Sequence, residues 1–406
     1  VAKVDQRGFD NQRVEFVPAA QAASFLGVQA RTLYAYASRG LVARVREGRS
    51  SRYSRADLER LKARHDARAG HGPVAGAALN WGEPVLATRV CEVTAEGPRY
   101  RGQLATELVR TGTSFAAVCR LLWGTPAGAV ATQRSILARV PAAAHDAVTR
   151  LMAVTLTGFM REAAPFGLAP TVEQARAEAL VRAFASAAGG KPARKLPEDL
   201  AARFLAGHGL SPTLPRRRLV DAALVLCADH ELNASTFAAR VAASTGADLQ
   251  ACLLAALAAF SGPRHGTASH EVEELLRAIG RGRAEPAVRA RTLRGQGIPG
   301  FGHRLYPAGD PRAAALLARL PKGARLAPLF ALITATRRLR GEHPNIDAAL
   351  VGVARAVGLP AGAAAALFAV GRTAGWIAHV FEQRLEPGLL RPRARYVGPA
   401  ATPPAV

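Results

Sequence analysis

Four short stretches set polar side chains beside Gly and Pro, where backbone can approach a ligand closely. They are Ala228-Asp-His-Glu-Leu-Asn-Ala-Ser-Thr236, Ser261-Gly-Pro-Arg-His-Gly266, Gly300-Phe-Gly-His-Arg-Leu-Tyr306 with Asp310-Pro-Arg312 behind it, and His343-Pro-Asn-Ile-Asp347. They offer an acid, Asp347, the histidines His230, His265 and His303, and several arginines, all at loop–helix junctions. A carboxylate base with neutral histidines as hydrogen-bond donors suits removal of a proton α to a carbonyl. A helix following His265 would aim its N-terminal amides at that ring and lower its pKa. Arginines suit a substrate with several carboxylates, which they bind through paired N–H groups. No HExxH, CxxC or carboxylate cluster suggests a metal, no GxGxxG follows a strand, and no GxSxG is present.

The elements that must position these residues read as helices. Of the 406 residues 49% are hydrophobic and 6% aromatic, with Ala prominent, so the fold class expected is mostly α. Helical apolar spacing runs through 113–123, 142–156, 171–188, 218–228, 235–244, 248–260 and 272–279, and alternating strand patterns are scarce. The formal net charge is +24, carried mostly by Arg along the whole chain. That fits either an anionic partner or an Arg-rich set of solvated faces. Cys91, Cys119, Cys227 and Cys252 sit among apolar neighbours and read as buried thiols in a reducing compartment. The start has no apolar signal region, and no uninterrupted apolar run reaches membrane-spanning length. A cytoplasmic protein is expected, with no membrane association.

The first 14 residues are polar and expected to fray. A compact pattern starts at Phe16: a short helix over Pro18 to Leu26, a turn at Gly27 and a second helix ending near Gly40 give helix-turn-helix spacing. A β-wing is expected around Gly48, then a helix capped by Ser54 with Asp57 closing a capping box. Ala22-Ala23, Leu26-Gly27-Val28, Thr32-Leu33-Tyr34, Arg39-Gly40-Leu41 and Arg52-Tyr53 resemble the MerR-like winged helix-turn-helix family. From Arg31 to Arg68 there are 11 basic and 4 acidic residues, net +7. Gln29, Arg31 and Thr32 stand where base edges are usually read, and Arg44, Arg46, Arg49 and Arg52 where phosphates are reached. DNA is the partner this implies; a docking or oligomerisation role is the alternative.

The four polar stretches, in that order, resemble the signature segments of the citrate synthase family. The likeness extends to Gly97-Pro-Arg-Tyr-Arg-Gly102, Leu121-Leu-Trp-Gly124, Gly371-Arg-Thr-Ala-Gly-Trp-Ile-Ala-His379, Glu382-Gln383 and Arg391-Pro-Arg-Ala-Arg-Tyr396, and so covers roughly 75–400. The resemblance implies that Asp347 takes a methyl proton from acetyl-CoA and that His265 donates to the thioester oxygen. His303 would polarise the keto group of oxaloacetate, and His230, Arg312 and Arg372 would hold that acid. Arg391 would do so across a homodimer interface. Gly300 and Gly302 would lie against CoA, with Arg304 at a CoA phosphate, and no metal or bound cofactor is implied. It also implies a helix-turn-helix domain over 15–68, a linker at 69–74, a large domain over 75–265, a small one over 266–352 and a return to the large domain over 353–406. Cys227, Arg264, Thr267, Ser269 and Ala348 depart from residues common in the family, which leaves propionyl-CoA and a 2-methylcitrate product open beside acetyl-CoA and citrate. A metabolite-sensing DNA-binding regulator is the reading of a different class.

Overall fold

A computed structural model describes residues 16–47, 50–55, 57–58, 61–62, 86–125, 144–162, 168–191, 196–280, 284–392 and 398. Contacts divide the chain into two units, Val1–Ala87 and Thr88–Val406. The expected linker, 69–74, and the first 14 residues lie outside the described residues.

In the first unit, β1 (Phe16–Pro18) leads into α1 (Ala19–Leu26), and α2 (Ala30–Ser38) follows after a turn. The strands β2 (Arg44–Glu47) and β3 (Ser50–Ser54) form the wing, and β1 joins it in the antiparallel order β1-β3-β2. Val17, Ala22, Ala23, Leu33, Val42, Tyr53 and Leu58 make its core. The capping box at Ser54 closes only on one side. Ser54 Oγ accepts from the Asp57 amide at 3.3 Å, but Ser54 N donates to Ala43 O and Asp57 Oδ2 accepts from Ala43 N at 2.8 Å. Asp57 thus ties the helix start to Ala43, the residue just before β2.

The second unit opens with a meander that the sequence pattern did not announce: β4 (Cys91–Thr94), β5 (Gly97–Tyr100) and β6 (Gln103–Leu104), antiparallel in that order. Helices follow: α3 (Ala105–Arg110), α4 (Phe115–Trp123), α5 (Ala147–Glu162), α6 (Pro170–Ala187) and α7 (Leu200–Gly207). Then come α8 (Leu214–Cys227), α9 (Ala234–Ser244), α10 (Leu249–Phe260), α11 (Ala268–Ile279) and α12 (Ala284–Leu293). The last are α13 (Pro311–Leu317), α14 (Ala327–Arg340), α15 (Ile346–Val357) and α16 (Ala363–Gln383).

The helix α16 is the axis of this unit. It packs on α4, α8, α9, α10 and α15, and it is long and apolar enough to cross a membrane, yet 94% of its apolar window is buried in the fold. Small residues make the close packing possible. A Cβ on Gly375 would stand 2.0 Å from Asp229 Oδ2 and 2.5 Å from Ala228 O, where Gly375 N donates to Ala228 O. The end of α8 and the loop after it therefore rest directly on the α16 backbone. All four cysteines are buried and free.

Candidate active site

The loop between α12 and α13 carries the first part of a polar cluster. His303 Nδ1 accepts from the Leu305 amide at 3.2 Å, so in a neutral ring the proton sits on Nε2. That nitrogen lies 3.5 Å from Arg312 Nη2. His303 stacks on Tyr306 with ring centroids 4.8 Å apart, and the Tyr306 hydroxyl meets His230 Nε2 at 3.0 Å. Burial, then the charge of Arg312, holds His303 below its ordinary pKa, with Asp310 opposing. Burial with Arg312, Arg372 and His303 holds His230 well below its own. Both rings are therefore neutral at pH 7.

Arg312 is 2% exposed, not at the surface. Its Nε and Nη2 reach Asp310 Oδ1 and Oδ2 at 3.0 and 2.9 Å. Burial alone would lower the Arg312 pKa, but Asp310 outweighs it and raises it. Burial pushes Asp310 up, and Arg312 more than reverses that. The same Asp310 Oδ2 accepts from the Ile346 amide at 3.0 Å, at the first residue of α15.

Asp347 follows on the first turn of α15. Asn345, not Asp347, caps this helix: its Oδ1 accepts from the Asp347 amide at 3.0 Å. That leaves the Asp347 carboxylate uncommitted. It is half-buried, with Oδ1 sealed from solvent and no hydrogen-bond partner among the described residues. Burial pushes its pKa up to about 6, with Arg312 pulling the other way and Asp310 adding to the rise. The Gly300–Gly302 loop is pinned to the same turn: Asn345 N donates to Gly300 O at 2.8 Å, and Gly302 N to His343 O at 2.9 Å. Gly300 has φ +79°, and a Cβ there would come within 2.8 Å of Val272 and 3.0 Å of Ala348. Only glycine fits that contact.

His265 ends the turn between α10 and α11. Its Nε2 lies 2.7 Å from Ser235 Oγ. Ser235 Oγ also receives the Trp376 indole N–H at 3.0 Å and stands 2.7 Å from Asn233 Oδ1. The one hydroxyl proton can serve either Asn233 or His265. When it serves His265, the ring carries its own proton on Nδ1 and can donate outward. Burial, then Arg372, brings the His265 pKa down to about 4. Arg372, one turn after Phe368 on α16, donates through Nε to Cys227 O at 2.8 Å, and its Nη2 is buried with no partner among the described residues. Its charge reaches Arg312 on one side and His265 on the other.

His230, His303, Arg312, Arg372, Asp347 and His265 are thus linked by contact or by charge, with Gly300 and Gly302 beside Asp347. Arg304 and Arg391 are exposed. In the first unit, Gln29 and Arg31 are exposed and Thr32 half-buried at the start of α2, Arg52 is half-buried on β3, and Arg49 lies outside the described residues. Sequence reasoning missed Tyr306, Asp310 as the partner of Arg312, and Ser235 with Trp376. It quoted each of these residues within a motif, but the pairings span 76 and 141 positions for Tyr306–His230 and Trp376–Ser235. His379, on α16, is fully buried 3.4 Å from Asp229.

An α-helical domain that collects neutral histidines, buried arginines and an uncommitted carboxylate is built for acid–base work on a charged carbonyl compound. A model of the citrate synthase C-terminal domain matches residues 78–393, and a helix-turn-helix domain model matches residues 19–66. The chain belongs to the citrate synthase family. It is 37% identical over 240 residues to citrate synthase 2 of Bacillus subtilis, which covers 56% of this chain and 64% of that protein. It is 40% identical over 215 residues to putative citrate synthase 2 of Mycobacterium tuberculosis, covering 50% and 57%. The chain thus spans less than two thirds of the length of these relatives. Its match to 2-methylcitrate synthase of Shewanella oneidensis is 29% identical and covers 78% of this chain and 92% of that protein. The fold superposes with a TM-score of 0.66 and 26% identity on Thermoplasma acidophilum citrate synthase, solved with carboxymethyl coenzyme A and oxaloacetate, over 79% and 95% of the two chains.

Proposed function

We propose that the second unit condenses acetyl-CoA with oxaloacetate and water to give citrate and CoA, as an entry step of the tricarboxylic acid cycle. The observation that carries this is the Asp347 carboxylate, with its sealed, unpartnered Oδ1 and its pKa near 6. A base of that strength is ionised at pH 7 yet poorly stabilised, the condition for drawing a proton from carbon. Asp347 takes a methyl proton from the acetyl group. His265, fed the Ser235 proton at Nε2, donates from Nδ1 to the thioester oxygen and holds the enol. Arg312 and Arg372 hold the carboxylates of oxaloacetate, and His230 its remaining polar edge. His303 donates from Nε2 to the keto oxygen as the enol carbon attacks, and that oxygen gains a proton. Water then cleaves the citryl thioester and frees CoA. This sequence uses no metal and no resident cofactor.

Closing of a 266–352 domain on the rest brings Asp347 to His265 only when both substrates are present, which keeps water from the thioester. Arg391 acts from the partner in a homodimer, and Gly300, Gly302 and Arg304 receive CoA. Release of CoA thiol by purified full chain, given acetyl-CoA and oxaloacetate, tests the reading, with Asp347→Asn alongside. Release by the wild type and its loss in the variant are expected; no release from folded protein would sink it.

The similarity to a 2-methylcitrate synthase over 78% of the chain favours a second reading, with propionyl-CoA as the acyl donor. One methylene changes binding by only about 1–3 kcal/mol, so parallel kcat/KM values for the two thioesters decide it. For the first unit we propose duplex DNA binding through Gln29, Arg31 and Thr32, with Arg49 and Arg52 on phosphates. Affinity falling steeply with salt would support this, and no binding at low salt would end it.

A further inference from the structure

Tyr306, in the loop between α12 and α13, touches three of the groups proposed to hold the oxo acid, yet no step of the condensation uses it. Its ring stacks on His303, with centroids 4.8 Å apart. Its hydroxyl lies 3.0 Å from His230 Nε2. The Arg312 guanidinium carbon stands 5.6 Å from its ring centre. Only 3% of the residue is exposed. Two turns hold its backbone in place: Tyr306 N donates to His303 O at 3.1 Å, and Gly309 N donates to Tyr306 O at 3.0 Å.

The contacts fix where the hydroxyl proton goes. Burial, with Arg312 opposing it, holds the phenol above its ordinary pKa, so the proton stays on the oxygen. His230 is the phenol's hydrogen-bond partner among the described residues, and a buried O–H aimed elsewhere would go unpaired. The O–H therefore donates, and His230 Nε2 accepts it. Since the His230 ring is neutral, its own proton sits on Nδ1. His303 is the opposite tautomer, with its proton on Nε2, because its Nδ1 accepts from Leu305 N. One phenol thus stands between two histidines of opposite tautomer. It also joins the α12–α13 loop to the α8–α9 loop, across 76 positions of sequence.

We propose that Tyr306 is a positioning residue for the oxo acid: its hydroxyl sets the direction and tautomer of His230, and its ring sets the plane of His303. This role rests on the condensation proposed above. The two histidines serve different stages. His230 holds the acid in the ground state, whereas His303 acts on the keto oxygen as the new bond forms. Tyr306→Phe keeps the stack and removes only the hydroxyl, which leaves His230 Nε2 without its donor. Tyr306→Leu releases His303 as well. Loss of the hydroxyl should therefore show in binding, and loss of the ring in turnover too.

Calorimetric titration of the full chain with oxaloacetate, and steady-state kinetics with oxaloacetate and acetyl-CoA, test this. In Tyr306→Phe, Kd and KM for oxaloacetate should rise about tenfold, the scale of one lost hydrogen bond to a buried acceptor. KM for acetyl-CoA and the melting temperature should stay as in the wild type; a merely structural residue would move the melting temperature without that split. In a His230→Ala background, Tyr306→Phe should weaken oxaloacetate binding no further, because its effect runs through that ring. Tyr306→Leu should add a fall in kcat of about tenfold or more. An unchanged oxaloacetate Kd in Tyr306→Phe, or an equal rise with and without the His230 ring, would overturn this role and leave the condensation standing. No oxaloacetate binding by the folded wild type would overturn the condensation, and this role with it.

Discussion

Asp310 binds Arg312 through both carboxylate oxygens and, with Oδ2, also accepts the amide of Ile346, the residue before Asp347. The arginine proposed to hold substrate and the proposed base are therefore fixed by one buried carboxylate. Replacing Asp310 by Asn would leave the Arg312 charge buried and unpaired. Breaking such a pair costs about 3–5 kcal/mol. Denaturant unfolding should show that loss, and KM for the oxo acid should rise more than KM for the thioester. An unchanged unfolding midpoint would mean that Arg312 needs no partner.

The pH dependence of kcat/KM should carry the signature of Asp347. The base must be ionised, so the rate should fall about tenfold per pH unit below about 6. His265, at about 4, stays neutral across that limb. The same raised pKa has a stability side. The folded state holds the Asp347 proton more tightly than the unfolded chain, so ionisation at pH 7 weakens the fold, and the penalty vanishes below the unfolded value near 4. Asp347→Asn should therefore be inactive yet more stable by about 1–3 kcal/mol at pH 7, with no gain at pH 4. An acid limb near pH 4 would assign the base elsewhere.

Ser235→Ala removes the hydroxyl between Trp376 and His265. His265 would lose the group that sets its tautomer, while oxo acid binding should stay near normal. A fall in kcat of about 10²–10³, the scale of a lost oxyanion donor, with little change in KM for oxaloacetate, is expected. Steady-state kinetics on both substrates decide it, and an unchanged kcat would remove Ser235 from the mechanism.

Gly375→Ala should be felt far from any substrate. The added methyl would meet Asp229 Oδ2 and Ala228 O at under 3 Å. Overpacking of this kind costs about 1–3 kcal/mol or more. It would also displace the loop that carries His230, so melting temperature and KM should move together. A variant stable as the wild type would show that α8 and α16 can part without loss.

Helices α4, α5, α6, α8, α9, α10 and α11 were legible because their apolar spacing is regular and each runs nine residues or more, whereas α3 and α13, of six and seven residues, are too short to show a period. The β4–β6 meander was not, since strands of 4, 4 and 2 residues that include Gly97 and Pro98 offer no alternation to read. At the site, His265, His303, Asp347 and Arg312 could be found because they sit in Gly- and Pro-rich junctions, whereas Arg372, inside α16, came only from the family resemblance. What could not be read was who partners whom. That Asn345 rather than Asp347 caps α15, and that Arg312 is matched inside the protein by Asp310, depend on side-chain directions that spacing does not encode.

The sealing of the four cysteines has a practical side. Burial holds all four thiols above their ordinary pKa, with Cys227 and Cys252 at about 12. A thiolate-seeking dye added to the native protein should therefore see CoA and nothing else. Each chain that unfolds would release four equivalents of colour at once. One cuvette can thus time turnover while the protein is folded and count its losses as it melts.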